Sequence, residues 1–330
     1  MAAVGTEVLH SGSRRQPAPR RRLPLHRRFL KASGPYALIL PSVAIIVLVL
    51  AYPVYKLFSL SFHTYQLPQL IHESHAKLGK APVNVGFSNY KSVFKDHQFW
   101  TVLWRTVLFT VANVGATMII GTGLGVLLTR LSKVIRIALS VVLILVWATP
   151  GIVSITIWNW LFDQQFGVVN YALTKLHLGN FIQHDWYTSS LQGFFVITCV
   201  VVWSAIPFVA ITMQAALTQV PDELIEAARV DGATGAQIFR RITFPILRPI
   251  MVIITSLSII WDFQVFTQVY ILRYNRPEPW YYLLSVFSFV ESFKVHNFGL
   301  GAALSVIVML ILACVSVFYI RQIVRIGEAR

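Results

Sequence analysis

The chain is 330 residues long, 56% hydrophobic and 12% charged, with a formal net charge of +15 at pH 7. Soluble domains carry about 25% charged residues, so the composition excludes a disordered protein and argues against a cytosolic enzyme. The basic excess does not point to nucleic acid: 8 of the 28 Lys and Arg lie in residues 1–34 and most others in short segments between apolar runs, a membrane-topology pattern rather than a basic binding face.

Residues 1–31 read as a disordered basic tail lying against anionic lipid. Within the tail, Arg27-Arg28-Phe29-Leu30-Lys31 approaches a twin-arginine export signal but lacks the residue that separates the arginine pair from Phe-Leu-Lys. The apolar run after it is too long for a signal core and has no small-x-small cleavage site, so the first helix is expected to be retained. Charge-free stretches follow at 32–55, 106–129, 137–162, 186–221 and 295–320, with 249–272 broken only by Asp262. The stretch 186–221 is expected to hold one helix near 191–217. About 20 residues cross a hydrocarbon core of ~30 Å, so six transmembrane helices fit. Placing both termini in the cytoplasm puts 18 Lys and Arg inside and 10 outside, which satisfies the positive-inside rule.

The external segment 56–105 is mixed polar and aromatic, with short helices expected around 87–94 and no core of its own. His72-Glu73-Ser74-His75 in that segment lacks the His-Glu-x-x-His spacing of a metalloprotease and reads as a solvated cluster. In the second span, Gly121 and Gly125 have the small-xxx-small spacing that lets helix backbones approach. Cys199 and Cys314 lie within apolar runs and read as small buried hydrophobes rather than disulfide or metal-site residues. The phosphate cradle G-x-x-x-x-G-K-[ST] is missing, so no ATPase motif, catalytic residue, cofactor or metal site is expected in this chain.

The segment 220–249 lies on the predicted inner side. Pro221 suits a helix first turn, Asp222 and Glu223 suit its positive dipole end, and Glu226-Ala227-Ala228-Arg229 continues a short helix. Gly232 permits a turn, and a second helix, basic at Arg240 and Arg241, is expected to end at Pro245. This segment resembles the EAA loop of ABC importer permeases: Glu-Ala-Ala, three residues, Gly, nine residues, Ile, one residue, Leu-Pro. Glu226, Ala227, Ala228, Gly232, Ile242 and Pro245 match, with Phe244 in the Leu position. Residues 32–55, Phe87-Ser88-Asn89-Tyr90 and Phe298-Gly299-Leu300-Gly301-Ala302-Ala303-Leu304-Ser305 look like the maltose-type carbohydrate subgroup. Residues 273–277 (Arg-Tyr-Asn-Arg-Pro) depart from the Leu-Thr-x-Gly-Gly-Pro of many relatives.

The resemblance implies an all-α ABC importer permease fold, with a permease domain over 32–325 and a cytoplasmic end at 326–330. It implies a sugar importer, with a di- or oligosaccharide as substrate. A second homologous permease would complete the pore, two ATPase subunits would bind ATP and Mg below, and an extracytoplasmic solute-binding protein would deliver substrate above. The EAA loop is shared with importers of amino acids, polyamines and phosphate, which are the alternative. Coupling to the ATPase is expected at Glu226, Ala227, Ala228, Asp231, Gly232 and Pro245.

A sugar path needs hydrogen-bonding groups and aromatic faces, because an unpartnered buried hydroxyl costs ~2–7 kcal/mol. Asp262, an ionisable residue inside an apolar run, is a functional candidate by default and is expected just beyond the midplane. Trp261 and Gln264 flank it, and Asn113 and Trp203 complete the set. Trp158 and Trp160 read as interface anchors.

Overall fold

The computed structural model describes residues 39–74 and 80–328. The tail 1–31 with its arginine pair, the side chain of His72 and all of His75 lie outside the described residues. The chain separates into two units, one ending at Tyr55 and one beginning at Lys56. In the first, every residue from Ile39 to Tyr55 is exposed and belongs to helix α1 (Ile39–Ser61). A helix that is apolar all round satisfies its own backbone and needs no polar face, which is the condition lipid imposes. Its turn Val47–Ala51 is a π turn lying just before Pro53. The widened turn makes room for a ring that would otherwise meet the carbonyl four residues back.

In the second unit, β1 (His63–Thr64) pairs antiparallel with β2 (Val83–Asn84), His63 opposite Asn84. Helix α2 (Leu67–Ser74) lies between them in sequence, and α3 (Ser88–Lys95) follows. The segment 56–105 is therefore more ordered than its composition suggests. The first helix reaches Ser61, α4 (His97–Arg130) already begins at His97, and Tyr65 and Val93 are buried. Asn89 Nδ2 donates to the carbonyls of Ser61 (2.9 Å) and His63 (3.1 Å). The Tyr90 hydroxyl meets Ser61 Oγ at 2.7 Å. The Gly299 amide donates to Tyr65 O at 3.0 Å, and a Cβ on Gly299 would fall 2.3 Å from His63 O. The Phe87–Tyr90 and Phe298–Gly301 stretches, far apart in sequence, thus close on the same hairpin.

Among the described residues, five helices are long and apolar enough to span a membrane: α1, α4, α8 (Ser190–Leu217), α10 (Gly235–Phe263) and the apolar part of α13 (Phe298–Glu328). A sixth crossing is available only as a bent pair, α5 (Lys133–Ala148) and α6 (Gly151–Leu161), which meet at 99°. The uninterrupted span expected over 137–162 is thus broken. Thr149 and Pro150 both take extended backbone angles, as a residue before proline prefers, and Pro150 has no N–H to continue α5. Outside these, α7 (Val168–Lys175), α9 (Asp222–Val230), α11 (Thr267–Leu272) and α12 (Leu284–Phe289) are short.

A second correction concerns 249–272. The helix starts earlier, at Gly235, and stops at Phe263, with α11 beginning after a break at 264–266. Asp262 therefore sits in the last turn of α10 rather than mid-helix. A third concerns Pro245, which does not end the second loop helix. The π turn Phe239–Thr243 precedes it, as Val47–Ala51 precedes Pro53, and α10 runs on through Pro245 and Pro249.

The most extensive helix contact joins α4 and α8. A Cβ on Gly121 would lie 2.6 Å from Val209 Cγ1, and one on Gly125 would lie 2.8 Å from Met213 Cβ and 3.0 Å from Ala210 O. Gly123, between them, has nothing within 4 Å. Gly121→Leu should therefore lower the thermal unfolding midpoint of the purified protein, by an overpacking cost of about 1–3 kcal/mol. Gly123→Leu should leave it near wild type, and equal effects of the two would contradict the seam.

Candidate functional site

The loop between α8 and α10 is a cap–turn–cap unit. Pro221 is the N-cap of α9, with Asp222 and Glu223 in the first turn and Arg229 in the last, each on the side the helix dipole favours. At the other end, Gly232 N donates to Arg229 O (3.0 Å) and Ala233 N to Ala228 O (2.9 Å). This is the Schellman closure, which requires a left-handed residue at the glycine position, and Gly232 has φ +78°. Two residues later Thr234 caps α10 in a capping box. Gln237 Oε1 accepts from Thr234 N (2.8 Å), and Thr234 Oγ1 accepts from Gln237 N. The turn is thus hydrogen-bonded from both sides and leads directly into a span.

Burial divides the faces of α9. Ile225 is half-buried and packs toward Val209, Met213, Val220, Leu247 and Ile254. Ala228 is also half-buried, while Glu226, Ala227, Asp231, Gly232 and Pro245 are exposed. Leu224 and Val230 are 47% and 87% exposed. A short amphipathic helix held by one side, with apolar residues left open on the other, is a surface shaped for a partner.

The path candidates do not converge. Asp262 and Asn113 are buried within the bundle. Asn113 Nδ2 donates to Phe109 O (2.7 Å), while Asn113 Oδ1 and Asp262 Oδ2 have no partner. Trp261 is 48% exposed and meets Phe208 edge-on. Gln264 is exposed and folds back to Ile260 O. Trp203 lies half-buried against Trp158 at 6.0 Å. The sequence reading passed over a polar stripe on α4. Thr106, Thr110, Asn113 and Thr117 are all buried and share one helical face by their i, i+4, i+7, i+11 spacing. Thr106 Oγ1 is satisfied by Val102 O and Leu284 N, whereas Thr110 and Thr117 hydroxyls have no partner. The threonine spacing within an apolar run was the available signal.

Beyond α11, the departing residues 273–277 are locked by Arg273. Its guanidinium lies 4.6 Å from the Tyr281 ring and 5.3 Å from the Tyr187 ring, and its Nε donates to Glu278 Oε2 at 3.0 Å. The Tyr281 hydroxyl donates to Tyr187 O (2.9 Å), and its ring occupies the space that a Cβ on Gly193 would need. Burial raises both tyrosine pKa values, so both stay neutral at physiological pH. The hydrogen bonds from Arg273 hold the Glu278 carboxyl below its ordinary value, against the opposing effect of burial.

Several apolar helices, an internal polar stripe and an amphipathic helix docked beside the spans define a multi-pass membrane permease. The chain belongs to the family of binding-protein-dependent transport system inner membrane components, whose model matches residues 121–325. It is 40% identical over 297 residues to the diacetylchitobiose uptake system permease protein DasB of Streptomyces coelicolor, covering 90% of this chain and 88% of that one. It is 30% identical over 286 residues to the sulfoquinovosyl glycerol transport system permease protein SmoG of Agrobacterium fabrum, covering 87% and 89%. Its fold matches a chain of a bacterial ABC transporter involved in import of the acidic polysaccharide alginate. That match has TM-score 0.74 at 18% identity and covers 91% of this chain and 98% of that one.

The Arg273 lock has a testable pH signature. Because the folded pKa of Glu278 is depressed, its stabilisation is present above the unfolded carboxylate value of about 4.3 and is lost as pH falls through the folded value. Arg273→Gln should lower the thermal midpoint at pH 7 by the equivalent of about 1 kcal/mol. It should also flatten the decline between pH 5 and 3, measured by thermal unfolding across that range. A parallel decline in both proteins would contradict the lock.

Proposed function

We propose that this chain is one permease half of an ATP-driven importer for a di- or oligosaccharide. The observation that carries the reading is the 40% identity, over nine-tenths of the chain, to a diacetylchitobiose permease, with a sulfoquinovosyl glycerol permease at 30%. A non-sugar solute is the less supported alternative. In this reading six spans cross the membrane, the α5–α6 pair forming the third as a bent crossing, and both termini lie in the cytoplasm. The permease domain occupies 32–325, flanked by cytoplasmic residues 1–31 and 326–330. A second permease completes the pore, two ATPase subunits hold ATP and Mg, and a solute-binding protein delivers the sugar outside.

The mechanism follows from the cap–turn–cap unit. The open face of α9, with Glu226 and Ala227, seats in the ATPase, Glu226 offering a carboxylate and the alanines close approach. Closure of the ATPase dimer displaces α9, and the doubly capped turn at Gly232 passes the motion to α10, because packed interiors resist compression. Access to the pore then changes at the far end of α10, where Trp261 and Gln264 are open and Asp262 is buried. Trp203 and Asn113 stand behind this end as second-rank path candidates.

Two measurements test the reading. In reconstituted transporter, Gly232→Ala meets no steric neighbour, so its cost of about 1–2 kcal/mol is confined to the backbone of the turn. It should reduce substrate-stimulated ATP hydrolysis while the ATPase still co-purifies, and Glu226→Lys should abolish that stimulation. Wild-type stimulation from both variants would sink the coupling role. Asp262→Ala should impair sugar uptake with assembly and basal ATP hydrolysis retained. Normal uptake would remove it from the path, and failed assembly would assign it to packing.

A further inference from the structure

A cavity of about 730 Å³ opens between the inner end of α4, the start of α5 and the cap–turn–cap unit. Three arginines from three elements line it: Arg130 in the last turn of α4, Arg136 in the first turn of α5, and Arg229 in the last turn of α9. Asp222 is the acidic residue in the lining, leaving three positive charges against one negative. Among the described residues the ion pair is Arg273–Glu278, elsewhere in the fold, so no described carboxylate is salt-bridged to these arginines. Arg136 Nη2 reaches Leu131 O at a long 3.4 Å.

The remaining polar lining suits the same kind of ligand. Gly235 lies in the cavity wall at the capped start of α10, whose positive dipole end favours an anion nearby. Thr129 and Thr218 add hydroxyls. Three guanidiniums from separate elements lining one cavity favour an anion there, and the planar guanidinium fork matches a phosphate.

We propose that this cavity binds a phosphate-bearing anion that braces the coupling helix α9 against the inner ends of α4 and α5. The inference rests on the cytoplasmic placement of this segment in the functional reading above. The phosphate has two sources: the headgroup of an anionic phospholipid in the inner leaflet, for which basic pockets between spans are suited, or a free organic phosphate.

The test is made on the assembled, purified transporter without nucleotide or sugar, so that loss of binding is read separately from any failure of transport. Native mass spectrometry after titration with dioleoylphosphatidylglycerol or dioleoylphosphatidylcholine reads the lipid source. Thermal unfolding with glycerol 3-phosphate reads the free one. Preferential retention of phosphatidylglycerol, weakened about fivefold for each arginine changed to glutamine at 130, 136 and 229, supports the proposal with a lipid source. A rise in midpoint with glycerol 3-phosphate that the triple variant loses supports it with a free phosphate. If the triple variant does not assemble, Arg130→Gln alone, at an exposed helix end, carries the comparison. Equal lipid retention by wild type and variant, with no shift from glycerol 3-phosphate, overturns the proposal.

Discussion

The contact on which the rest of the described fold depends is the backbone approach of α4 and α8 at Gly121 and Gly125. Lipid tails are as apolar as leucine, so spans associate through close packing rather than by hiding apolar surface from water. Val209 and Met213 fill the space the two missing side chains leave. The same two residues form the cluster on which Ile225 of α9 and Leu247 and Ile254 of α10 pack. Helix α9 is therefore rooted in the α4–α8 seam. The buried stripe Thr106, Thr110, Asn113 and Thr117 runs along the same helix as the two glycines.

Much of this was legible from the order of residues. Lipid sets a one-dimensional requirement, a long run without charge, and such runs located α8 to within one residue of its start, Ser190. The loop glycine was legible too, because a short helix followed by Gly reads locally as a turn, whereas the Thr234–Gln237 capping box was passed over. The breaks were harder. Counting charges cannot see Pro150 turn a single span into a bent pair. The break after Phe263 also depends on a residue far along the chain: Ser285 Oγ donates to Val265 O at 2.6 Å, supplying the partner that an interrupted backbone needs in lipid. Pro245 read as a stop because a π turn leaves no signature in composition.

The Arg273 lock was invisible for a related reason. Arg273, Glu278, Tyr187, Tyr281 and Gly193 come from two separate stretches, 187–193 and 273–281, and only the folded chain brings the two rings around one guanidinium. The residues that depart from the family pattern at 273–277 thus have a structural occupation of their own. The path candidates were also only half legible. Their polarity was visible, but not that Asp262 and Asn113 turn into the bundle while Trp261 and Gln264 turn out of it.

The central claim is that α9 and α10 move as one body across the Gly232 turn. Its most direct test places spin labels at Glu223→Cys and Ile253→Cys, with Cys199 and Cys314 replaced, in the reconstituted transporter. Pulsed electron resonance then measures the distance between them without nucleotide and with bound ATP, alongside the distance from Ile253 to a label on the second permease. The account predicts an unchanged distance within the chain and a changed distance between subunits. A distance from Glu223 to Ile253 that shifts with ATP while the two subunits stay fixed would contradict it.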